Sequence, residues 1–130
     1  QDQGIIEWWG FEDDMPGLLG RAEIVCLPSY REGLPRVLIE AAAAGKPIVT
    51  SDVPGCREVV AEGQNGFLLP ARDGSAIAGA LERLLGDAEL RRRLGEQSRQ
   101  RAVAEFSLED FVARSLATYR AVLPSGTIEP

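Results

Sequence analysis

The feature that most constrains this chain is the alternation of short, continuous apolar runs with helix-length segments. Ile5 to Trp9 ends at Gly10, Ile24-Val25-Cys26-Leu27 ends at Pro28, Pro47-Ile48-Val49-Thr50 leads into Ser51-Asp52, and Phe67-Leu68-Leu69 ends at Pro70. Apart from Glu7 within the first, these runs show no apolar–polar alternation, so each predicts a buried strand rather than one with a solvated face. Helix signals lie between them. Asp13-Asp14 opens a helix of a turn or two reaching Leu19. Pro35 to Ala44 predicts a second helix, with proline in its first turn and Gly45 beyond its end. Cys56 to Ala61 predicts a short third helix, and Glu62-Gly63-Gln64-Asn65-Gly66 a turn. Strands and helices in this order predict βαβ units, hence an α/β fold with a parallel sheet and helices on both faces.

Beyond Pro70 the chain turns helical. Ser75 is the expected cap of a helix with Ile77, Ala80, Leu81, Leu84 and Leu85 on one stripe. Asp87 opens the next, running to about Glu105. Ser107 opens the last, with Asp110 three residues on and Phe106 and Phe111 spaced as a hydrophobic staple. That helix carries Leu108, Phe111, Val112, Leu116, Tyr119, Val122 and Leu123 on one face. Residues 1–123 read as one partial domain and 124–130 as a polar tail. Both ends look cut, so the chain reads as a piece of something longer.

Composition excludes several classes of function. A net charge of −6 makes a poor binder of nucleic acid or anionic membrane. The chain has no histidine, which removes the commonest general base and metal ligand. Cys26 and Cys56 lie outside any CxxC spacing and read as buried free thiols of a reducing cytosol. No apolar run is long enough to span a membrane. Arg91, Arg92, Arg93, Arg99 and Arg101 are interspersed with Glu89, Glu96 and Glu105, the pattern of a solvated helix rather than a nucleic-acid face. Trp8 and Trp9 look like a stacking pair, but in a strand at least one belongs to the core.

In a parallel sheet of this kind ligands bind outside the carboxyl ends of the strands. The loop after the second run reads Pro28-Ser29-Tyr30-Arg31-Glu32-Gly33-Leu34-Pro35-Arg36-Val37-Leu38-Ile39-Glu40. Glu32-Gly33-Leu34-Pro35 stands at a helix start, where free N–H groups and the positive dipole end favour an anion, and glycine permits close approach. Glu40 shares a helix stripe with Gly33 and lies roughly 10 Å along the axis at about 1.5 Å per residue. An anion site with a carboxylate two turns on suits a diphosphate and its attached ribose, because a carboxylate accepts from two neighbouring hydroxyls. Glu40 sits among Val37, Leu38, Ile39, Ala41 and Ala42, so its charge needs a partner. Glu32 reads either as a ligand contact or as a first-turn dipole carboxylate. Arg31 and Arg36 read equally as phosphate neutralisers or surface arginines. Ser29 and Tyr30 read more as loop packing than as ligand contacts. Gly55, bordering the cleft, is a candidate for admitting the ligand, while Glu58 at a helix start needs no function to explain it.

The E-x7-E pair Glu32–Glu40 is set in SYREGLPRVLIEAAAAGKPIVTSDVPGCREVV, with NGFLLP beyond it. In that order and spacing the chain resembles the donor-binding half of retaining GT-B glycosyltransferases of the group 1 type, family 4. Among these it looks most like bacterial enzymes that build surface polysaccharide, lipopolysaccharide or protein glycans on lipid-linked precursors from UDP-N-acetylhexosamines. The resemblance implies a Rossmann-like domain, part of the C-terminal half of a GT-B fold, ending in long helices. It implies that Glu40 holds the ribose hydroxyls and that Glu32, the candidate catalytic side chain, meets hydroxyls of the transferred sugar. It also implies that amides at Gly33 and Leu34 contact the diphosphate or a sugar hydroxyl, and that Gly10 and Phe11 offer main-chain groups to the base. It implies a UDP-sugar donor, no metal or other cofactor, a glycan or lipid-linked acceptor read by a separate N-terminal domain, and a cytoplasmic protein able to sit at the inner face of the plasma membrane.

The family's phosphate-neutralising Arg and Lys precede the segment matched here. Lys46, the only lysine, stands at the wrong end of its helix. The 130 residues alone are therefore expected not to catalyse. In such proteins the C-terminal helix crosses to the other domain, so the 107–123 stripe is expected to dimerise or swap unless it packs on its own sheet. A non-catalytic nucleotide- or sugar-binding module on the same half-fold is the alternative. A response-regulator-like signalling domain shares the architecture but needs a strand-end lysine, which Lys46 does not supply.

Overall fold

The computed structural model describes residues 4–123. The expected polar tail at 124–130 lies outside them. Helix α1 (Met15–Arg21) leads into strand β1 (Val25–Leu27), and helix α2 (Arg36–Ala43) connects it to strand β2 (Ile48–Ser51). Helix α3 (Pro54–Val59) connects β2 to strand β3 (Gly66–Leu69), and three helices follow: α4 (Gly74–Gly86), α5 (Ala88–Glu105) and α6 (Leu108–Val122). The sheet is parallel in the order β1-β2-β3, with Leu27 opposite Thr50 and Thr50 opposite Leu68.

Strand β2 is buried along its whole length, as its apolar run requires. Ile48 faces a core of Leu38, Ala41, Cys56, Val59 and Val60 from α2 and α3. Val49 faces the opposite core of Phe67, Leu84, Leu90 and Leu94, supplied by β3, α4 and α5. Helices therefore cover both faces, and α5 closes the assembly by reaching both cores through Ala102 and Leu94. Close approach of α5 to the end of α2 needs Gly95, where a Cβ would lie 2.3 Å from the Gly45 carbonyl oxygen. Gly45 itself adopts φ +69 and ends α2, with its N–H donating to Ala42 and that of Lys46 donating to Ala41, a paired closure only glycine adopts without strain.

Asn65 ties the same layers together. Its side chain accepts from the Ala61 N–H at 2.8 Å and donates to the Val59 carbonyl at 3.1 Å, while its own carbonyl accepts from Ser98 Oγ at 3.0 Å. The arginines of α5 pair with neighbouring carboxylates, Arg91 with Glu23 at 3.2 Å, Arg92 with Glu89 and Glu96, and Arg101 with Glu105. Arg92 and Arg93 are solvated as their spacing predicts, whereas Arg91 and Arg101 are half-buried, and Arg99 and Arg101 donate to the Ala43 and Glu58 carbonyls of the packed layers.

Four expectations need correction. Residues 5–9 form no strand, because a strand exists only as a partner in a sheet and none of β1–β3 pairs with them. Trp8 is 81% exposed and Trp9 is also exposed, so neither is core; the Trp9 ring lies under the Arg21 guanidinium at 4.7 Å. Cys26 is exposed, not buried, because β1 pairs on one side only and lacks the double cover of β2; Cys56 is fully buried. Asp73 rather than Ser75 caps α4, since the helix starts at Gly74 and the Asp73 carboxylate accepts from the Ala76 N–H at 2.9 Å.

Helix α6 is capped as expected by Ser107, which accepts from the Asp110 N–H at 3.1 Å. Phe106 packs against the α2–α3 core, whereas Phe111 is exposed along with Leu108, Val112, Tyr119, Val122 and Leu123. The apolar stripe of α6 does not pack on the sheet.

Candidate functional site

Parallel pairing brings the carboxyl ends of β1 and β2 to one edge. The 28–35 loop therefore lies beside the start of α3, and α2 begins on that edge. Strand β2 holds the loop at its base. Thr50 Oγ1 donates to the Leu27 carbonyl at 2.8 Å, and the Ser29 N–H donates to Ser51 Oγ at 3.0 Å, with both β2 side chains buried. Helix α3 presses on the loop from the side. At Gly55 a Cβ would lie 2.0 Å from the Gly33 carbonyl oxygen and 2.5 Å from that of Glu32. The space expected to admit a ligand at Gly55 is filled by the loop's own backbone. Within the loop, Ser29 Oγ donates to Glu32 Oε1 at 2.6 Å, in the range of a charge-assisted bond.

The helix starts fall into two kinds. Side chains of Asp14, Asp73, Asp87 and Ser107 accept first-turn N–H groups of α1, α4, α5 and α6. Helices α2 and α3, which begin on the loop edge of the sheet, have no side-chain cap. Pro35, the N-cap of α2, carries no polar side chain; its carbonyl takes the Leu38 N–H at 3.0 Å, which leaves the Arg36 and Val37 N–H groups for an external acceptor. Gly33 and Leu34 precede this turn and are exposed.

Glu40 opens from α2 onto an apolar cavity of about 450 Å³ lined by Met15, Pro16, Leu19, Ala43 and Ala44. Its carboxylate is partly exposed and pairs with Arg36 at 3.8 Å, one turn earlier on the same helix. That pair is the partner its apolar neighbourhood requires, and the 90% exposed Arg36 guanidinium can also turn to an incoming anion. Gly10 and Phe11 line a second cavity of about 580 Å³, which shares Met15 with the first. Gly10 has φ +73, a conformation that favours glycine, and Phe11 is exposed. Glu32, Gly33 and Leu34 do not line the Glu40 cavity; they stand at the start of the helix that carries it. Sequence reasoning missed the wall that α1 supplies through Met15, Pro16 and Leu19. It also missed Ser51 as the anchor of the loop.

Around this edge, Arg57 Nε donates to Asp52 Oδ1 at 2.6 Å and holds that carboxyl below its usual range. Tyr30 is exposed beneath the Arg72 guanidinium at 5.0 Å, and Arg72 has φ +68. Arg31 is also exposed. Lys46 donates to the Gly20 carbonyl at 3.3 Å, beyond the opposite end of α2. Cys56 Sγ lies 3.1 Å from Thr50 Oγ1 under the loop, and burial pushes its thiol up. Among the described residues no group of three or more His, Cys, Asp or Glu side chains is placed to hold a metal ion.

The arrangement can bind an anion at the open α2 start and a flat or apolar group in the α1–α2 cavity, with the Glu40 carboxylate for hydroxyls between them. The family model of the glycosyl transferases group 1 matches residues 3–101. The chain belongs to this family. An α-(1→4)-mannosyltransferase of Mycolicibacterium hassiacum is 35% identical over 86% of the chain and 28% of its own length. A Campylobacter jejuni N-acetylgalactosaminyltransferase acting on an undecaprenol diphosphate sugar is 31% identical over 94% of the chain and 32% of its own. The chain thus spans about a third of the length of these curated relatives. The crystal structure of HepE from Anabaena with UDP superposes with a TM-score of 0.80 at 26% identity, covering 86% of this chain and 32% of that one.

The group 1 chain accordingly has an α/β fold shared with known glycosyltransferases, and its Glu32–Glu40 segment lies inside the matched region. The clamp on that segment is testable. Gly55→Ala is expected to destabilise the chain by about 1–3 kcal/mol, because the methyl meets backbone rather than a yielding side chain. Amide resonances of Glu32, Gly33 and Leu34 should shift most. An unchanged denaturation midpoint together with unshifted loop amides would show that the loop does not rest on α3.

Proposed function

We propose that this chain is the nucleotide-sugar-binding part of a retaining glycosyltransferase of family 4. The full enzyme would transfer a hexose or N-acetylhexosamine from a UDP-sugar to a glycan or lipid-linked acceptor. The observation that carries the reading is the uncapped start of α2 at the carboxyl edge of the sheet, with Glu40 on the same helix facing an apolar cavity. Structural and sequence relatives support the class. HepE has been solved with UDP and with UDP-glucose, and the Campylobacter relative is named for N-acetylgalactosamine transfer.

In this reading the diphosphate lies against the Gly33 and Leu34 amides and the first turn of α2, with Arg36 within reach. Glu40 accepts from the two ribose hydroxyls, and Met15, Pro16 and Leu19 wall the nucleoside. Gly10 and Phe11 offer main-chain groups to the base. Glu32 accepts from hydroxyls of the sugar to be transferred and is the catalytic residue of the set. When the bond from the anomeric carbon to the diphosphate breaks, negative charge grows on the leaving oxygens. The helix dipole and oriented amides favour that charge. Full neutralisation of a leaving diphosphate calls for more cation than these residues aim at the α2 start, so the 130 residues alone bind donor without turning it over. The reading carries with it a cytoplasmic protein, peripheral at the inner face of the plasma membrane where the acceptor is lipid-linked. The open apolar face of α6 is then covered by association or helix exchange between copies of this chain.

Saturation-transfer NMR with UDP, GDP, ADP and UDP-N-acetylhexosamines tests the donor site. Uridine nucleotides are expected to bind preferentially, with Glu40→Ala weakening them at least about tenfold, the loss of hydrogen bonds to a charged group. Binding that survives Glu40→Ala unchanged would refute the assignment. Binding without any transfer after an upstream segment and an acceptor domain are supplied would favour a non-catalytic module. Light scattering on the same samples should show a dimer at high concentration; a monomer would rule out association through α6.

A further inference from the structure

Ser29 makes two hydrogen bonds that point in different directions. Its N–H donates to Ser51 Oγ at 3.0 Å, which fixes its backbone to the end of β2, where Ser51 is buried. Its hydroxyl donates to Glu32 Oε1 at 2.6 Å. The stretch that joins them is held as well, since the Leu27 carbonyl accepts from the buried Thr50 Oγ1 and Gly55 abuts the Glu32 and Gly33 carbonyls. The glutamate is thus referenced to the rigid central strand through one hydroxyl.

From this geometry we infer that Ser29 is a positioning residue that holds the Glu32 carboxylate in a single orientation for recognition of the donor's sugar. The inference deepens the donor-site reading and rests on it for the identity of the ligand. A carboxylate accepts at both oxygens. With Oε1 taken by the serine hydroxyl, Oε2 keeps its full acceptor capacity for a sugar hydroxyl. Without the serine, Glu32 at a loop end is free to change rotamer, and each productive contact then carries the entropic cost of fixing it. Ser29 does not touch the nucleotide in this arrangement. Its loss should therefore reduce only the part of the affinity that depends on the sugar. The pairing is legible in the sequence as a serine three residues before a glutamate, but Ser51 as its anchor is not.

The test uses the 130-residue chain and two variants, Ser29→Ala and Ser29→Thr. Side-chain couplings of Glu32 measured by NMR report its orientation without any ligand. Affinities for UDP and UDP-glucose report the sugar-dependent increment. The expected result is one fixed Glu32 rotamer in the parent and in Ser29→Thr, and averaged couplings in Ser29→Ala. In Ser29→Ala the ratio of UDP-glucose to UDP affinity should fall about tenfold, the effect of one charge-assisted hydrogen bond, with UDP affinity unchanged. Ser29→Thr should restore the ratio. Unchanged Glu32 couplings in Ser29→Ala overturn the inference whatever the ligands do. Equal loss of both ligands also overturns it, since that marks general damage to the loop. If the parent chain binds neither ligand, the donor-site reading fails, while the couplings still decide whether Ser29 orients Glu32.

Discussion

Strand β2 is the constraint on which the rest depends. It is hydrogen-bonded to a parallel neighbour on each edge and buried on each face, so its four residues admit no polar exposure and little change of register. A slip of one residue would exchange Ile48 for Val49 between two differently shaped cores. The same register brings Thr50 and Ser51 level with the end of β1, where their hydroxyls become the anchor of the 28–35 loop. Sheet pairing and loop geometry are thus one interaction.

The helix starts differ in their polar chemistry. The starts of α1, α4, α5 and α6 are closed by their own side chains and those of α2 and α3 are open, although α4 too follows the carboxyl end of a strand. An uncapped start forgoes about 1 kcal/mol that a serine or aspartate would contribute. Helix α2 combines an open start with a partly exposed carboxylate, Glu40, that borders the α1–α2 cavity, and this combination is the basis of the donor-site proposal. Glycine has two distinct uses around α2. Gly45 provides a left-handed turn, whereas Gly55 provides absence of volume against the loop backbone.

Much of this was legible in the amino-acid sequence. Continuous apolar runs located β1, β2 and β3 to within a residue, and the one-residue offset at β2 has a cause: Pro47 has no N–H for the ladder, although its carbonyl accepts from Val25 at 3.1 Å. Of the helix stripe expected to join Gly33 to Glu40, α2 carries only Glu40; Glu32 and Gly33 stand in the loop before its first residue, Arg36, because Pro35 starts the helix there. Other features could not be read. An apolar run shows no sign of whether it has a partner, so Ile5 to Trp9 read as a strand and Cys26 as core. In Asp73-Gly74-Ser75 two side chains can cap, and only the backbone path decides between them. Met15, Pro16 and Leu19 carry the pattern of an ordinary core helix; that they wall a cavity beside Glu40 depends on the packing of α1 against α2.

The central claim is that one helix, α2, carries both ends of a nucleotide-sugar site. The most direct measurement is a titration of the isotope-labelled chain with UDP-glucose, followed through backbone amide shifts. The account predicts that the largest changes fall on Gly33, Leu34, Arg36 and Val37 at the start of α2 and on Ala43 and Ala44 near Glu40, with Met15 and Leu19 responding across the cavity. Shifts concentrated on α5 or α6, with the start of α2 silent, would contradict it.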